Sequence, residues 1–277
     1  MKNVVIIPNA TKDPGLTVTA ALVNKLSRMG INVYIKDEYN VLGAHPYSEL
    51  PPNSELIVVV GGDGSVIDAS RLAVERGIPL VGVNLGKVGY LSEIDPGALD
   101  VLDALATGDY VITDKMLLSV STDGWTGQTL AVNDVVISHS DCIGISTFRL
   151  EDSVGNSLNY RADGIIFATP QGSTAYSLSS GGPVVAHDVD SILVTPVCTH
   201  SFFDRSVIFN SRELLTVTNI GERGLNICID GRVSAVLTPG SSCSVKRADA
   251  SLKMLTFSRN SMFTGLFKKM SILEGFK

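Results

Sequence analysis

The stretch Leu56-Ile57-Val58-Val59-Val60-Gly61-Gly62-Asp63-Gly64-Ser65 decides how the chain is read. Five apolar residues, mostly β-branched, predict a strand buried on both faces. Gly61 and Gly62 let the backbone turn sharply and approach a ligand with no Cβ in the way. Asp63 sits between glycines at the tip of the turn, and Ser65 opens a helix read over Val66 to Arg76. In that helix Val66, Ala69 and Ala73 share one stripe, and Asp68, Arg71 and Glu75 another. Gly77 and Pro79 end it. In an open α/β sheet, ligands bind beyond the carboxyl ends of the strands. A helix start adds free N–H groups and partial positive charge, both suited to phosphate. A βα turn can need glycine for its own sake. Three glycines (Gly61, Gly62, Gly64) around the acid Asp63 point instead to phosphate handling.

Two commoner phosphate devices are excluded. A dinucleotide fingerprint needs G-x-G-x-x-G, and the chain from Gly62 runs Gly-Asp-Gly-Ser-Val-Ile without the third glycine. A P-loop needs G-x-x-x-x-G-K-[ST]. The nearest candidate, Gly82 to Val88, is one residue short and lacks the hydroxyl.

Outward from this stretch the first part of the chain alternates strand and helix. Val4 to Ile7 is a strand and Asn9 to Gly15 a polar turn. Val18, Leu22, Leu26 and Met29 mark a helix face closed by Gly30. Val33 to Ile35 is a strand, Gly43 to Asn53 a proline-bearing loop, and Leu80 to Val83 a further strand. This alternation predicts a mostly parallel sheet. Asn84 to Leu91 follows at the same sheet edge as Asp63, and in it Lys87 is either a phosphate partner or a solvated loop residue. Gly97 to Thr107 reads as a last helix closed by Gly108.

From Tyr110 the character changes to short runs bounded by turns. They are Leu117–Ser121, Leu130–Ile137, Ile145–Leu150, Leu158–Arg161, Ile165–Ala168, Leu193–Val197, Leu214–Val217, Asn226–Ile229, Cys243–Lys246 and Met254–Phe257. The expected fold is therefore α/β plus β-rich: an α/β parallel-sheet domain over 1–112, then an all-β domain over 113–255. A C-terminal segment over 256–277, with an amphipathic helix at Asn260 to Met270, completes the chain. Three polar islands interrupt the β-rich part. Asn133-Asp134 lies inside an apolar run, where a buried acid is paired, caps a bulge or is functional. Arg161-Ala162-Asp163-Gly164 leads into a hydroxyl- and glycine-dense stretch, Thr169 to Pro183. Such a loop is longer than a plain connection needs and offers hydrogen bonds to sugars and bases, with Tyr176 as a stacking face. Asp230-Gly231-Arg232 places an acid at a strand end.

Bulk properties narrow the partners. At 277 residues the chain can bury a sizeable core, and 44% hydrophobic with 18% charged residues is a globular composition. A net charge of −6 without a basic cluster argues against nucleic acid. No apolar run reaches membrane-span length, and the start reads as a strand rather than a signal peptide, so a cytoplasmic protein with no membrane partner is expected. Cys142, Cys198, Cys228 and Cys243 show no C-x-x-C spacing and read as buried free thiols, and no protein-ligated transition metal is expected. Asn9-Ala10-Thr11 fits a glycosylation pattern without meaning in a protein that is not secreted.

With Gly-Gly-Asp-Gly, Asn-Asp and Gly-Ser-Thr-Ala-Tyr in this order, the sequence resembles the NAD kinases. The match carries Gly61 to Gly64, Asn84 to Leu91, Asn133-Asp134, Asp163 to Pro183 and Asp230-Gly231, and so nearly the whole chain. The first motif is shared with 6-phosphofructokinases and with diacylglycerol and sphingosine kinases, whereas the Asp163 to Pro183 stretch is specific. The resemblance implies an ATP-dependent kinase that phosphorylates the 2′-hydroxyl of the adenosine ribose of NAD, with magnesium carried by the nucleotide. It implies a homodimer or homotetramer with sites shared between subunits, and a C-terminal segment returning to the first domain. It implies Asp63 as the acid that activates the hydroxyl, and Asn133 and Asp134 at the ribose or nicotinamide end of the substrate. Ser173, Thr174, Ala175, Tyr176 and Ser179 would line the dinucleotide pocket, and Asp230 would approach the diphosphate and ribose. Arg161 and Asp163 would be offered from a neighbouring subunit.

The sequence departs from the family pattern at Asp134, where Glu is usual, at Ala186-His187-Asp188, at Thr199 to Arg205 and at Arg232. Two rivals stand beside this reading. A lipid or sugar-phosphate kinase of the same superfamily is opposed by the Ser173 to Ser180 loop. A non-catalytic dinucleotide sensor would have no need of Asp63.

Overall fold

The computed structural model of the 277-residue chain describes residues 1–86, 89–127, 129–139 and 144–257. Two compact units are present. Unit 1 holds Met1–Asp114 and the described residues from Leu252 on, and unit 2 holds Lys115–Ser251.

Unit 1 contains β1 (Asn3–Pro8), α1 (Thr17–Arg28), β2 (Asn32–Lys36), β3 (His45–Tyr47), β4 (Leu56–Gly61), α2 (Asp63–Arg76), β5 (Leu80–Asn84) and α3 (Ala104–Thr107). Its strands run parallel in the order β5-β4-β1-β2-β3, and Met254 pairs with Leu80 on the far side of β5. Every residue of β4 is buried, as its unbroken apolar run requires. The α2 stripe of Val66, Ala69, Ser70 and Ala73 is buried, while Asp68, Arg71 and Glu75 face water. The register sets Pro8 beside Val60 and Gly61 beside Asn84. The turns that follow β1, β4 and β5 therefore leave the sheet on one edge, its carboxyl edge.

Unit 2 is a sandwich. One sheet holds β9 (Ser146–Glu151), β10 (Ser157–Ala162), β14 (Leu215–Asn219) and β17 (Ser242–Thr256), with β6 (Val111–Thr122) and β7 (Leu130–Ala131) beside β17. The other holds β8 (Asp134–His139), β11 (Gly164–Ala168), β12 (Ser191–Val197), β13 (Val207–Asn210), β15 (Leu225–Ile229) and β16 (Arg232–Leu237), in the order β13-β12-β11-β8-β15-β16. Alternate residues of both sheets, such as Phe148, Leu150, Ile165, Phe167, Val217 and Ile227, meet in one core.

Several sequence expectations need correction. The helix after β4 begins at Asp63 rather than Ser65, so the acid is the first helical residue and Gly62 its N-cap. Gly61, Gly62 and Gly64 all lack the positive φ that a strained turn would demand. The Gly97 to Thr107 segment is a 3-10 helix, Leu99–Asp103, running into the single-turn α3. The Gly43 to Asn53 loop contains β3. The apolar run Leu130 to Ile137 breaks at Val132-Asn133 into β7 and β8. Cys243–Lys246 and the expected run from Met254, which stops at Thr256 instead of Phe257, are parts of one 15-residue strand, β17. Thr169 to Pro183 is no open loop: it holds a 3-10 turn, Gly172–Thr174, and α4 (Tyr176–Ser179). Of the thiols, Cys198 is exposed, with a left-handed backbone. Lys87, Cys142 and the expected helix at Asn260 to Met270 lie outside the described residues. Among the described residues no helix is long and apolar enough to cross a membrane.

Candidate active site

In unit 1 the carboxyl edge of the sheet builds one cluster. The Asp63 carboxylate accepts the Tyr90 N–H on one oxygen and the Leu91 N–H on the other, both at 2.9 Å. Each oxygen keeps a further lone pair. Burial pushes the neighbouring Tyr90 phenol up, and the Asp63 charge adds to the effect. Two chain segments crowd the glycine turn. The Leu85 N–H donates to the Gly61 carbonyl at 2.7 Å. Asn9 donates from Nδ2 to Ser65 Oγ at 2.8 Å, and its N–H reaches the Val60 carbonyl. Gly61 is therefore glycine for steric rather than conformational reasons. A Cβ on Gly61 would lie 2.5 Å from Ser65 Oγ, and one on Gly62 would fall on Lys12 Nζ. Gly64 faces open space. Asn9, assigned no role from the sequence, ties β1 to the start of α2.

In unit 2 a second cluster forms where β8 begins. Asp230, at φ +47°, turns β15 into β16 together with Gly231 at φ +79°, a pair that suits a two-residue hairpin. Its carboxylate accepts the N–H groups of Val132, Asn133 and Asp134 at 2.8–3.2 Å. That clamp breaks the apolar run at Val132-Asn133. Asp134 is 5% exposed. Burial, then the Asp230 charge, push its carboxyl up to about 7, against the Tyr176 N–H that favours the charged form. Burial also raises Asp230, opposed by its three N–H donors. A Cβ on Gly172 would fall on the Asn133 carbonyl oxygen, so the two main chains touch there. The Thr169 N–H donates to that same oxygen at 2.9 Å.

The hydroxyls of this stretch are largely committed inside the protein. Ser173 Oγ bonds the Pro170 carbonyl and the Val185 N–H, Thr174 Oγ1 the Gln171 carbonyl, and Ser177 Oγ pairs with Thr195. The expectation that they reach outward for a ligand is corrected for these side chains. Tyr176 and Ser179 are exposed, and Ala175 carries the backbone break between the 3-10 turn and α4.

Asn133, Asp134, Ser173 to Tyr176 and Asp230 thus gather at one corner of unit 2. Arg161 and Asp163 do not join them. They precede Gly164, whereas Asp134 pairs with Ala168 at the other end of β11; Asp163 lies five residues before Ala168, about 16 Å along the strand, and Arg161 two residues further. The Arg161 backbone is held by Ser201 Oγ and the His200 N–H.

Comparison with known proteins covers the segments that hold both clusters. An ATP-NAD kinase N-terminal domain model matches residues 47–110, and the C-terminal domain model matches residues 132–257. The NAD kinase of Lachnoclostridium phytofermentans is 34% identical over 95% of this chain and 96% of its own length. This chain belongs to the NAD kinase family. A second family member, the NAD kinase of Natranaerobius thermophilus, is 33% identical over 98% of both chains. The NAD kinase fold is also seen in two solved structures. A yeast NADH kinase complexed with NADH has a TM-score of 0.82 and 21% identity, covering 100% of this chain and 88% of its own. An Archaeoglobus fulgidus NAD kinase in complex with ATP has a TM-score of 0.76 and 22% identity, covering 98% of this chain and 99% of its own.

Proposed function

We propose that this chain transfers the γ-phosphate of ATP to the 2′-hydroxyl of the adenosine ribose of NAD, giving NADP and ADP. The observation that carries the reading is Asp63. In a family of NAD kinases, it is a half-buried carboxylate fixed by two N–H bonds beside a glycine turn, with lone pairs to spare. The O2′–P bond forms as the bond from the γ-phosphorus to the β–γ bridging oxygen breaks. The electron pair leaves with ADP, and the hydroxyl proton passes to Asp63. Residues 1–112 supply the donor side through Gly61, Gly62, Gly64 and Lys87. Residues 113–255 supply the dinucleotide side through Asn133, Asp134, Tyr176, Ser179 and Asp230, with Ser173, Thr174 and Ala175 shaping the wall.

Asp230 acts through its clamp, which holds Asn133 and Asp134 in place. No described group of three carboxylates, imidazoles or thiols is arranged for a cation. Magnesium would arrive on the nucleotide's phosphates, which supply most of its ligands. Arg161 and Asp163, at the far end of β11, suit a neighbouring subunit's site, so the working form is a homodimer or homotetramer. The three free thiols described suit a reducing compartment, the cytoplasm.

The test is a coupled assay: purified protein, ATP, magnesium and NAD, with product read by an NADP-specific dehydrogenase. Signal requiring both ATP and NAD is the expected result. No signal with NAD binding intact would replace the kinase by a dinucleotide sensor. Sedimentation of the same sample reads the oligomer.

A further inference from the structure

Lys12 has no part in the reaction as described, yet the fold delivers it to the glycine turn. It leaves the connection between β1 and α1, and both ends of that connection are pinned. At one end Asn9 holds Ser65 and the Val60 carbonyl, and its Oδ1 accepts the Thr11 and Lys12 N–H groups. At the other, Asp13 is almost fully buried and accepts Val18 N–H, Thr19 N–H and Thr19 Oγ1, closing the start of α1. Burial alone would raise the Asp13 carboxyl, and these bonds outweigh it and hold the carboxyl below its ordinary value.

Between the two pins the Lys12 side chain reaches over the N-terminus of α2, where its Nζ occupies the space that a Gly62 Cβ would need. None of the ion pairs among the described residues includes Lys12. An ammonium against a helix N-terminus brings two positive ends together, a mismatch in the empty protein. The Gly62, Ser65 and Lys12 surroundings become mutually favourable once an anion lies on them. A cation on a pinned backbone, with no ion pair among the described residues, suits a polyphosphate, and a lysine supplies it as a compact point charge.

We propose that Lys12 binds the phosphate chain of the donor nucleotide and is a determinant of donor affinity. This rests on reading the glycine turn as the donor site. The diphosphate of NAD is the other anion of the reaction, and the experiment separates the two.

Calorimetry with ATP–magnesium and, separately, with NAD is run on the parent, Lys12→Ala and Lys12→Arg, alongside steady-state kinetics. Loss of one charge-assisted contact predicts ATP binding weaker by about tenfold to hundredfold in Lys12→Ala. KM for ATP rises in parallel, and Lys12→Arg recovers most of the loss. NAD affinity stays within about twofold, because one lost contact acts only on the ligand that makes it. ATP binding unchanged in Lys12→Ala would overturn the proposal, as would a loss confined to NAD. A parent that binds ATP but never forms NADP would sink the functional reading and leave Lys12 to be decided by the ATP isotherm. A parent that binds no ATP would sink both. Lys12 is exposed, so Lys12→Ala keeps its unfolding midpoint, checked by a melt.

Discussion

Asp63 serves two ends with one carboxylate: it anchors Tyr90 and Leu91, and in the proposed reaction it is the base. Asp63→Asn would turn one acceptor into a donor facing an N–H, a local cost of about 1 kcal/mol. Loss of the base would lower kcat by about 10²–10⁴, read in the coupled assay. A variant as fast as the parent would move the base elsewhere. Asp134 gives a pH prediction. Its carboxyl titrates near 7 when folded against an ordinary value of 3.8. A raised acid binds more protons folded than unfolded, so its contribution to stability falls as pH rises from about 4 to about 7. Asp134→Asn removes that dependence. The variant should match the parent near pH 4 and exceed it by up to roughly 4 kcal/mol at pH 8, where each unit of separation is worth about 1.4 kcal/mol. Chemical denaturation at the two pH values checks it; a gap that does not widen with pH would refute it. Both acids could be found in the sequence because an acid inside an apolar or glycine run is conspicuous. Lys12 could not, since a lysine in a polar turn looks like any solvated loop residue.

At the scale of elements, the β4–α2 junction shows which glycines matter. Gly61→Ala would drive a Cβ to 2.6 Å from Ser65 Cβ in a buried turn. Overpacking of this kind predicts a loss of about 1–3 kcal/mol. Gly64→Ala meets nothing within 4 Å and sits in a helix, so it should gain a few tenths of a kcal/mol, up to about 1. Urea denaturation of the two variants should therefore give shifts of opposite sign, and equal signs would show that the turn is not set by contact. The strand–turn–helix order, the buried α2 stripe and most β-strands were legible from periodicity. The failures have local causes. β13 and β16 are edge strands with exposed apolar residues, Ile208 and Val233 among them, so they lack clean alternation. The polar run Lys246-Arg247-Ala248-Asp249-Ala250-Ser251 hides the middle of β17. Leu99 to Thr107 has the apolar spacing of a helix, and its start carries no side-chain cap.

At the scale of the whole molecule, each unit buries its own core, and the thiols report on it. Cys198 is exposed, while Cys243 is buried in the sandwich and its thiol is pushed up to about 12 by burial. An aromatic disulfide reagent with peptide mapping should modify Cys198 at once and Cys243 only as fast as unit 2 unfolds. Early labelling of Cys243 would mean that the sandwich opens more readily than its packing implies. The glycine contacts also constrain how the chain can change over generations. At Gly62 the obstacle is the far end of the exposed Lys12 side chain, which can swing aside, so packing alone does not demand glycine there. At Gly172 the obstacle is the main chain of Asn133, which no substitution can trim. Descendants of this sequence should therefore keep glycine at position 172 in every lineage that keeps the fold, while position 62 answers to the ligand and not to packing.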